Sequence, residues 1–158
     1  MPPIRRTSKE DVQPVLALAR KTGVFTPKEL EVVKELLETE LGNPAGNDYH
    51  SLIFEENGQV VGFACYGPTP MTEGTYDLYW LFVDPEYQRR GIAGALLGEV
   101  EGAIRQAKGR MLIVDTSSLP SYLPARRFYK EHGFNKVAEV RDYYSPGDSC
   151  FTYVKRFL

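Results

Sequence analysis

Residues 78–97 read LYWLFVDPEYQRRGIAGALL, and this stretch decides the fold of the chain. Its first six residues are aromatic or aliphatic, as in a β-strand, and Pro85 ends the run because proline cannot donate a hydrogen bond to a strand ladder. A helix is predicted from about Gly91, since apolar residues recur at helical spacing from Ile92 to Ala107. The first amides of such a helix lack partners and point past the strand end, so this junction is an expected anion site.

Small residues and two cations occupy the junction. Gly91, Ala93 and Gly94 would let a phosphate approach the backbone, and Arg89 and Arg90 add positive charge. The alternative is that the small residues only permit helix–sheet packing and the arginines are solvated. Two familiar phosphate motifs do not fit: a P-loop needs Lys-Ser or Lys-Thr after its second glycine, and a dinucleotide fingerprint needs G-x-G-x-x-G with a later acid.

The remaining segments predict a regular order of elements. Before the junction come a strand near Ile4, a helix from Ser8 to Gly23, a helix capped by Thr26, Pro27 and Glu29, and a hairpin turning at Asn57 and Gly58. After it come a helix end at Gly109, a buried strand over 111–118, a helix over 125–134 that stops at Gly133, and two strands around the turn 145–148. This order predicts one domain over residues 1–158, of α/β (α+β) class, with helices on the faces of a mixed sheet.

Composition excludes several classes of protein. Nineteen basic and 21 acidic residues give a net charge of −2, so no global positive charge favours nucleic acid. Cys65 and Cys150 are the only cysteines and share no close spacing, which excludes a disulfide scaffold and a zinc or redox pair. No apolar run approaches the roughly 20 residues of a membrane span. We therefore expect a cytoplasmic protein without metal, nucleic-acid or membrane partners.

Two spaced motifs resemble a known family. The pattern Q/R-x-x-G-x-G/A runs from Gln88 to Ala93 after a Val-Asp-Pro strand end, and A-x-x-x-Y-x-x-x-G-F follows from Ala125 to Phe134. With a strand between them, they resemble the Gcn5-related N-acetyltransferase (GNAT) superfamily, and the resemblance covers nearly the whole chain. It implies the acyl-CoA N-acyltransferase fold, with a mixed six- or seven-stranded sheet and helices on both faces, and an enzyme that uses acetyl-CoA.

The resemblance also implies roles for individual residues. The pyrophosphate of acetyl-CoA would rest on backbone amides of the junction, and the backbone of the preceding strand would pair with the pantetheine arm. Val83 would polarise the thioester carbonyl through its N–H, and Tyr129 would protonate the departing thiolate. Tyr122 stands where many relatives have an asparagine that contacts the cofactor arm, so that contact is in doubt. The cofactor-binding residues implied are Leu81, Phe82, Val83, Gln88, Arg89, Arg90, Gly91, Ile92, Ala93, Gly94 and Tyr122.

A general base is harder to assign, although an ammonium acceptor must lose a proton before it attacks the thioester. Strand alternation predicts that Asp77 shares a face with Val83, and several relatives place a base glutamate about there. Glu73 or a relaying water is the substitute. The structural alternatives are an ion-pair role for Asp77 and a purely buried, packing role for Tyr129.

The nature of the acceptor stays open, as does the alternative of a non-catalytic acyl-CoA sensor. The expected reaction is direct transfer of acetyl to a primary amine of a small molecule or peptide in a ternary complex. Residues 142–148 hold aromatic and acidic side chains in a loop that often shapes the acceptor pocket of the family, which would suit a cationic amine. A homodimer is possible.

Overall fold

The computed structural model describes residues 3–157. Its backbone contacts divide the chain into two compact units. The first holds Met1–Gly67 and Trp80–Val100, and the second holds Pro68–Tyr79 and Glu101–Leu158. The single domain expected over residues 1–158 stays a prediction.

Seven strands and four α-helices lie within the described residues. The strands are β1 (Ile4–Arg6), β2 (His50–Glu56), β3 (Gln59–Pro68), β4 (Thr75–Val83), β5 (Met111–Ser117), β6 (Asn135–Ser145) and β7 (Asp148–Arg156). The helices are α1 (Val12–Thr22), α2 (Pro27–Gly42), α3 (Ile92–Gln106) and α4 (Leu123–Glu131). None of these helices combines the length and the apolar composition needed to cross a bilayer.

The strands form one mixed sheet in the order β1-β2-β3-β4-β5-β7-β6. The β4–β5 pair is parallel, whereas the described ladders β1–β2, β2–β3, β5–β7 and β6–β7 are antiparallel. A parallel pair needs a crossover, and α3 supplies it between β4 and β5. The prediction of a mixed six- or seven-stranded sheet is therefore confirmed, with seven strands.

Helix caps in the first unit follow the predicted sequence signals. Thr26 accepts a hydrogen bond from the amide of Glu29, whose carboxylate in turn accepts from the Thr26 amide, and Pro27 begins α2. Ser8 and Asp11 form a capping box as predicted, but it opens a short 3-10 turn that precedes α1. Gly23 ends α1 in the left-handed conformation, with φ +75°.

In the first unit, successive residues of β3 point to opposite faces of the sheet. A Cβ on Gly62 would lie 2.9 Å from both Ile92 and Leu96, so α3 packs closely against that face. Phe63 points to the opposite face, where its ring meets Phe82 with centroids 5.3 Å apart. Within this unit, helical and loop residues thus cover both faces, because Phe82 also contacts Phe25 in the α1–α2 connection.

In the second unit, most side chains of β5 are covered. Leu112 and Val114 are buried, whereas Ile113 is half-buried and Asp115 is exposed. The prediction of a buried strand over 111–118 is confirmed over Met111–Ser117, where only Asp115 is exposed.

The end of α3 and the start of α4 also differ from expectation. Gly109 was expected to end α3, yet the helix ends at Gln106 and the left-handed residue is Lys108, with φ +62°. Gly109 is needed for space, since a Cβ there would lie 2.3 Å from Ile104 and 2.8 Å from Tyr76. The α4 helix begins two residues before the predicted Ala125, because a 3-10 turn over Pro120–Tyr122 leads directly into it.

Candidate active site

The carboxyl end of β4 is fixed by Asp84, which is buried. Its amide donates to the carbonyl of Val61 (2.8 Å), and its carboxylate accepts from the Glu86 amide (2.9 Å). The other carboxylate oxygen pairs with Lys21 Nζ at 2.9 Å, and Lys21 also contacts Glu86. Asp84, which follows β4 and precedes the turn Pro85–Tyr87, is therefore tied to β3, to α1 and to that turn.

The loop over Gln88–Gly91 turns sharply into α3. Arg89 has φ +65° and Gly91 has φ +76°, both in the left-handed region. That conformation suits glycine but costs energy for an arginine, so the surrounding chain must hold it. Alternating backbone handedness of this kind turns successive N–H groups toward one side and makes a concave anion site.

Amides at the start of α3 are available to a ligand. The first intrahelical bond described here runs from Ala95 N–H to the Gly91 carbonyl, at 2.9 Å. Within residues 3–157, no hydrogen bond is described for the amides of Ile92, Ala93 and Gly94. These are the orphan donors that every helix start leaves, and the helix dipole adds positive potential there.

The two arginines of the loop have different surroundings. Arg90 lies 3.5 Å from Glu56 Oε2, and its guanidinium sits over the Tyr87 ring, 4.9 Å from the centroid. Arg89 is exposed, and no ion pair is described for it within residues 3–157. Arg89 thus keeps an uncompensated charge beside the open amides, whereas the charge of Arg90 is partly balanced.

The side chains of the strand residues predicted to contact the cofactor differ in burial. Phe82 is buried in the ring cluster with Phe25 and Phe63, and Leu81 and Val83 are half-buried. The amide of Asp84 points to β3, and successive N–H groups along a strand point to opposite edges. The Val83 N–H therefore points to the edge of β4 that faces away from β3, as the polarising role requires.

In the second unit, Asp77 stands at the end of the described β4–β5 ladder. That ladder joins Thr75, Tyr76 and Asp77 to Met111, Leu112 and Ile113, whereas both strands continue further. Asp77 is half-buried, and its Oδ2 accepts a hydrogen bond from Thr69 Oγ1 at 2.7 Å. No cationic partner of Asp77 is described in residues 3–157, so the ion-pair alternative has no support there.

The predicted shared face of Asp77 and Val83 does not follow from β4. The buried positions of the strand are Thr75, Leu78 and Phe82, three and four residues apart, instead of every second residue. Burial reports what covers a side chain and not the face to which it points, so the shared face stays a prediction, and the described pairing places Asp77 beside Ile113.

Tyr129 lies in α4 with its ring buried. The ring packs against Phe134 with centroids 5.3 Å apart and near Tyr153 at 6.3 Å. Burial raises the pKa of the Tyr129 hydroxyl, so the phenol stays protonated at neutral pH. No hydrogen bond of this hydroxyl is described within residues 3–157, and no unsatisfied, fully buried polar side-chain atom is found there either. Packing thus holds the ring in place, and the proton-donor role of Tyr129 stays a prediction.

Tyr122 and Glu73 hold less defined positions. Tyr122 is half-buried at the start of α4, and its amide donates to the Leu119 carbonyl at 3.0 Å. Glu73 is exposed in the loop before β4, where its backbone carbonyl accepts from Arg110 Nε at 2.6 Å. The roles assigned to both stay predictions.

Tyr129 and Asp77 are not brought together within the second unit. Tyr153 pairs with Val114 and contacts Tyr129, so α4 covers the face that carries these two strand residues. Asp77 pairs with Ile113 and so points to the other face. A proton donor and a candidate base on opposite faces fit two substrates that approach from opposite sides.

One polar residue of this region was missed by sequence reasoning. Asp115 follows Ile113 on the same face, and its Oδ1 accepts a hydrogen bond from Thr152 at 2.6 Å. A single acid directly after the apolar run 111–114 was the available signal. Within residues 3–157, no group of three or more metal-ligating side chains is present.

Sequence comparison places these features in a family. The family model described as the acetyltransferase (GNAT) domain matches residues 47–136. That range includes β4, the phosphate loop, α3 and α4. A curated relative is the [ribosomal protein bS18]-alanine N-acetyltransferase of Haemophilus influenzae, 32% identical over 104 residues that make up 66% of this chain and 67% of that protein.

Solved structures agree on the fold. A candidate acetyltransferase of the GNAT family from Desulfovibrio desulfuricans is 41% identical, with a TM-score of 0.93 and 97% of each chain covered. The PaiA N-acetyltransferase of Thermoplasma acidophilum, solved with coenzyme A, has a TM-score of 0.76 at 22% identity over 98% of each chain, a likeness of fold. With more than half of its residues matched by the family model, the chain belongs to the GNAT acetyltransferase family.

Proposed function

We propose that this protein transfers the acetyl group of acetyl-CoA to a primary amine of a small molecule or peptide, by direct attack within a ternary complex. The observation that carries the proposal is the junction between β4 and α3. Its left-handed residues Arg89 and Gly91 lead into a helix whose first amides are open. Membership of the family supports the pyrophosphate of CoA as the ligand of that anion site.

Backbone groups and Arg89 would bind the cofactor. The amides of the junction donate to the pyrophosphate oxygens, and the exposed guanidinium of Arg89 adds a charge-assisted contact. The Val83 N–H, directed away from β3, donates to the thioester oxygen and stabilises the negative charge that develops on it during attack.

Tyr129 is assigned the protonation of the CoA thiolate. When the tetrahedral intermediate collapses, the C–S bond breaks and the sulfur leaves with the electron pair. A phenol whose pKa is raised by burial still holds its proton at that moment and can pass it to the sulfur. Asp77, hydrogen-bonded to Thr69, is assigned the removal of the ammonium proton, with Glu73 or a water as the substitute.

The two cysteines are poor candidates for an acetyl-enzyme intermediate. Both are free and buried. Burial raises the pKa of the Cys65 thiol well above its ordinary value, and burial also raises the pKa of Cys150. A thiolate nucleophile is thus disfavoured at both positions, which supports direct attack by the amine. The cytoplasmic setting and the possible homodimer stay parts of the proposal.

Calorimetric titration and a transfer assay together test the proposed function. The protein should bind acetyl-CoA in preference to ATP and NAD, and should release CoA thiol when primary amines are added, with the acetylated amine detected by mass spectrometry. Binding of acetyl-CoA without transfer to any amine in a panel of small molecules and peptides would favour the acyl-CoA sensor instead.

A further inference from the structure

The guanidinium of Arg126 joins α4 to the segment of chain that precedes the helix. Its Nη1 atom donates to the carbonyl of Ser117, the last residue of β5, at 2.8 Å and to the carbonyl of Leu119 at 2.9 Å. Hydrogen bonds from a charged donor are about twice as strong as neutral ones. Arg126 therefore ties α4 both to the end of β5 and to the connection that follows it.

The first of these acceptors, Ser117, is itself fixed to β7. The residue is buried, and its hydroxyl donates to Oδ1 of Asp148, the first residue of β7, at 2.5 Å. The same hydroxyl accepts a hydrogen bond from the Leu119 amide at 3.1 Å. Both carbonyls that accept from Arg126 therefore belong to a short segment that is anchored to the start of β7.

Neighbouring serines reinforce this anchor. The Ser118 amide donates to the Ser149 carbonyl at 2.9 Å, and the Ser149 amide donates to Ser118 Oγ at 2.8 Å. The Ser149 hydroxyl also accepts from the Asp142 amide at 3.2 Å, within a bulge of β6 where the β6–β7 register shifts between Val140 and Ser145. The chain just before α4 therefore rests on both strands that follow the helix.

Two side chains of α4 lie over the same face of β7. The Arg126 guanidinium lies over the Phe151 ring, 5.5 Å from its centroid. Three residues further along α4, the Tyr129 ring lies 6.3 Å from that of Tyr153. Phe151 and Tyr153 are alternate residues of one strand and so share a face, and residues three apart on a helix are neighbours as well. The contact of Arg126 thus helps to fix where Tyr129 lies along β7.

Arg126 supplies the directional contacts of this arrangement. The Tyr129 ring is held by aromatic packing against Phe134 and Tyr153, and apolar packing depends less on direction than a hydrogen bond does. A displacement of about 1 Å at a reacting group can lower a rate about a hundredfold. The rate should therefore depend on Arg126, although Arg126 is assigned no contact with a substrate.

We propose that Arg126 is a positioning residue for proton transfer: its bonds to the carbonyls of Ser117 and Leu119 hold α4 in the position from which Tyr129 can protonate the CoA thiolate. This inference rests on the proposed N-acetyltransferase function. Arg126 moves no proton itself, because a guanidinium stays protonated in proteins.

A double-mutant cycle tests this role, with acetyl-CoA and the primary amine of the panel that is acetylated fastest. Arg126→Met keeps an unbranched stem and removes the donors, so kcat should fall about tenfold or more while the KM for acetyl-CoA stays within about twofold. In the Tyr129→Phe background, which has no hydroxyl to position, Arg126→Met should lower kcat no further. A purely structural role of Arg126 would instead lower kcat by the same factor in both backgrounds.

Further variants separate the hydrogen bonds of Arg126 from folding. Arg126→Gln repeats the cycle if Arg126→Met does not fold, with the same results expected, and Arg126→Lys keeps a charged donor and should restore part of the lost kcat. Arg127→Met removes the exposed arginine beside it and should keep the wild-type kcat.

Three results overturn the inference: wild-type kcat in the folded Arg126→Met or Arg126→Gln protein, an equal loss of kcat in both backgrounds, and wild-type kcat in Tyr129→Phe. Absence of transfer to every amine is a different result, since it overturns the proposed function and the inference falls with it.

Discussion

Tyr129 is the residue on which the chemistry of thiol release depends most directly. Tyr129→Phe keeps the ring contacts with Phe134 and Tyr153 but removes the only group assigned to protonate the thiolate. We expect kcat to fall by about a hundredfold or more, since general acid catalysis contributes on that scale. The Kd for acetyl-CoA, measured by calorimetry, should change little.

A nearby tyrosine serves as the control for this substitution. Tyr153 is equally buried and belongs to the same ring cluster, but it has no assigned role. Tyr153→Phe should therefore retain the wild-type kcat. Equal turnover in Tyr129→Phe and the wild-type protein would remove Tyr129 from the mechanism and leave it a packing residue.

Gly109 shows how a single residue limits packing in the second unit. A methyl group there would meet Ile104 at 2.3 Å, and the Ile104 carbonyl at 3.0 Å leaves little freedom to move away. Gly109→Ala should lower the free energy of unfolding by about 1–3 kcal/mol, as overpacked substitutions do. Urea denaturation would measure the change.

Gly102 is the matched control, because a Cβ at this exposed position of α3 meets nothing within 4 Å. Gly102→Ala should raise the free energy of unfolding by about 0.5–1 kcal/mol, the usual gain from alanine in a helix. If both substitutions raised the free energy of unfolding, the close approach of Ile104 to Gly109 would be contradicted.

At the scale of elements, the phosphate loop depends on the end of α1. Lys21 holds the Asp84 carboxylate, which in turn caps the turn that leads to Arg89. Lys21→Met should loosen this turn and raise the Kd for CoA about three- to tenfold. Calorimetric titration with CoA would detect the change.

The size of this effect should follow the charge at position 21. Lys21→Arg should keep the wild-type Kd. Lys34→Met, which removes a lysine that pairs only with Glu38 on the surface of α2, should have no effect on it. A normal Kd for CoA in Lys21→Met, accompanied by a lower unfolding temperature, would assign the Lys21–Asp84 pair a structural role alone.

Elements with strong local signals could be predicted from the sequence, and those shaped by distant contacts could not. Thr26, Pro27 and Glu29 specify the start of α2 by bonds among themselves, and Asn57–Gly58 specify a hairpin turn by their own positive φ. In contrast, the bulge of β6 depends on Ser149 and Gly147, which lie several residues away along the chain.

The candidate site shows the same division. Gln88–Gly94 could be recognised because a strand end and a helix start are adjacent in the sequence. Asp115 could not, since its described hydrogen bond comes from Thr152, a residue 37 positions away in the sequence.

At the scale of the whole molecule, buried tyrosines link stability to alkaline pH. Burial raises the pKa of Tyr129 in the folded protein, whereas an unfolded tyrosine titrates near 10. The contribution of Tyr129 to stability is therefore complete below about pH 10 and is lost as the pH rises above that value. As the pH rises through this range, the unfolding temperature should fall more steeply for the wild-type protein than for Tyr129→Phe. Identical slopes would contradict the burial of Tyr129.

Steady-state kinetics with two varied substrates test the central claim, direct acetyl transfer in a ternary complex, more directly than any substitution. Initial rates are measured while the concentrations of acetyl-CoA and of an acceptor amine, such as 1,4-diaminobutane, are both varied. The account predicts intersecting double-reciprocal lines and no acetyl group on the protein after incubation with acetyl-CoA alone. Parallel lines, together with an acetylated Cys65 or Cys150 found by mass spectrometry, would contradict it.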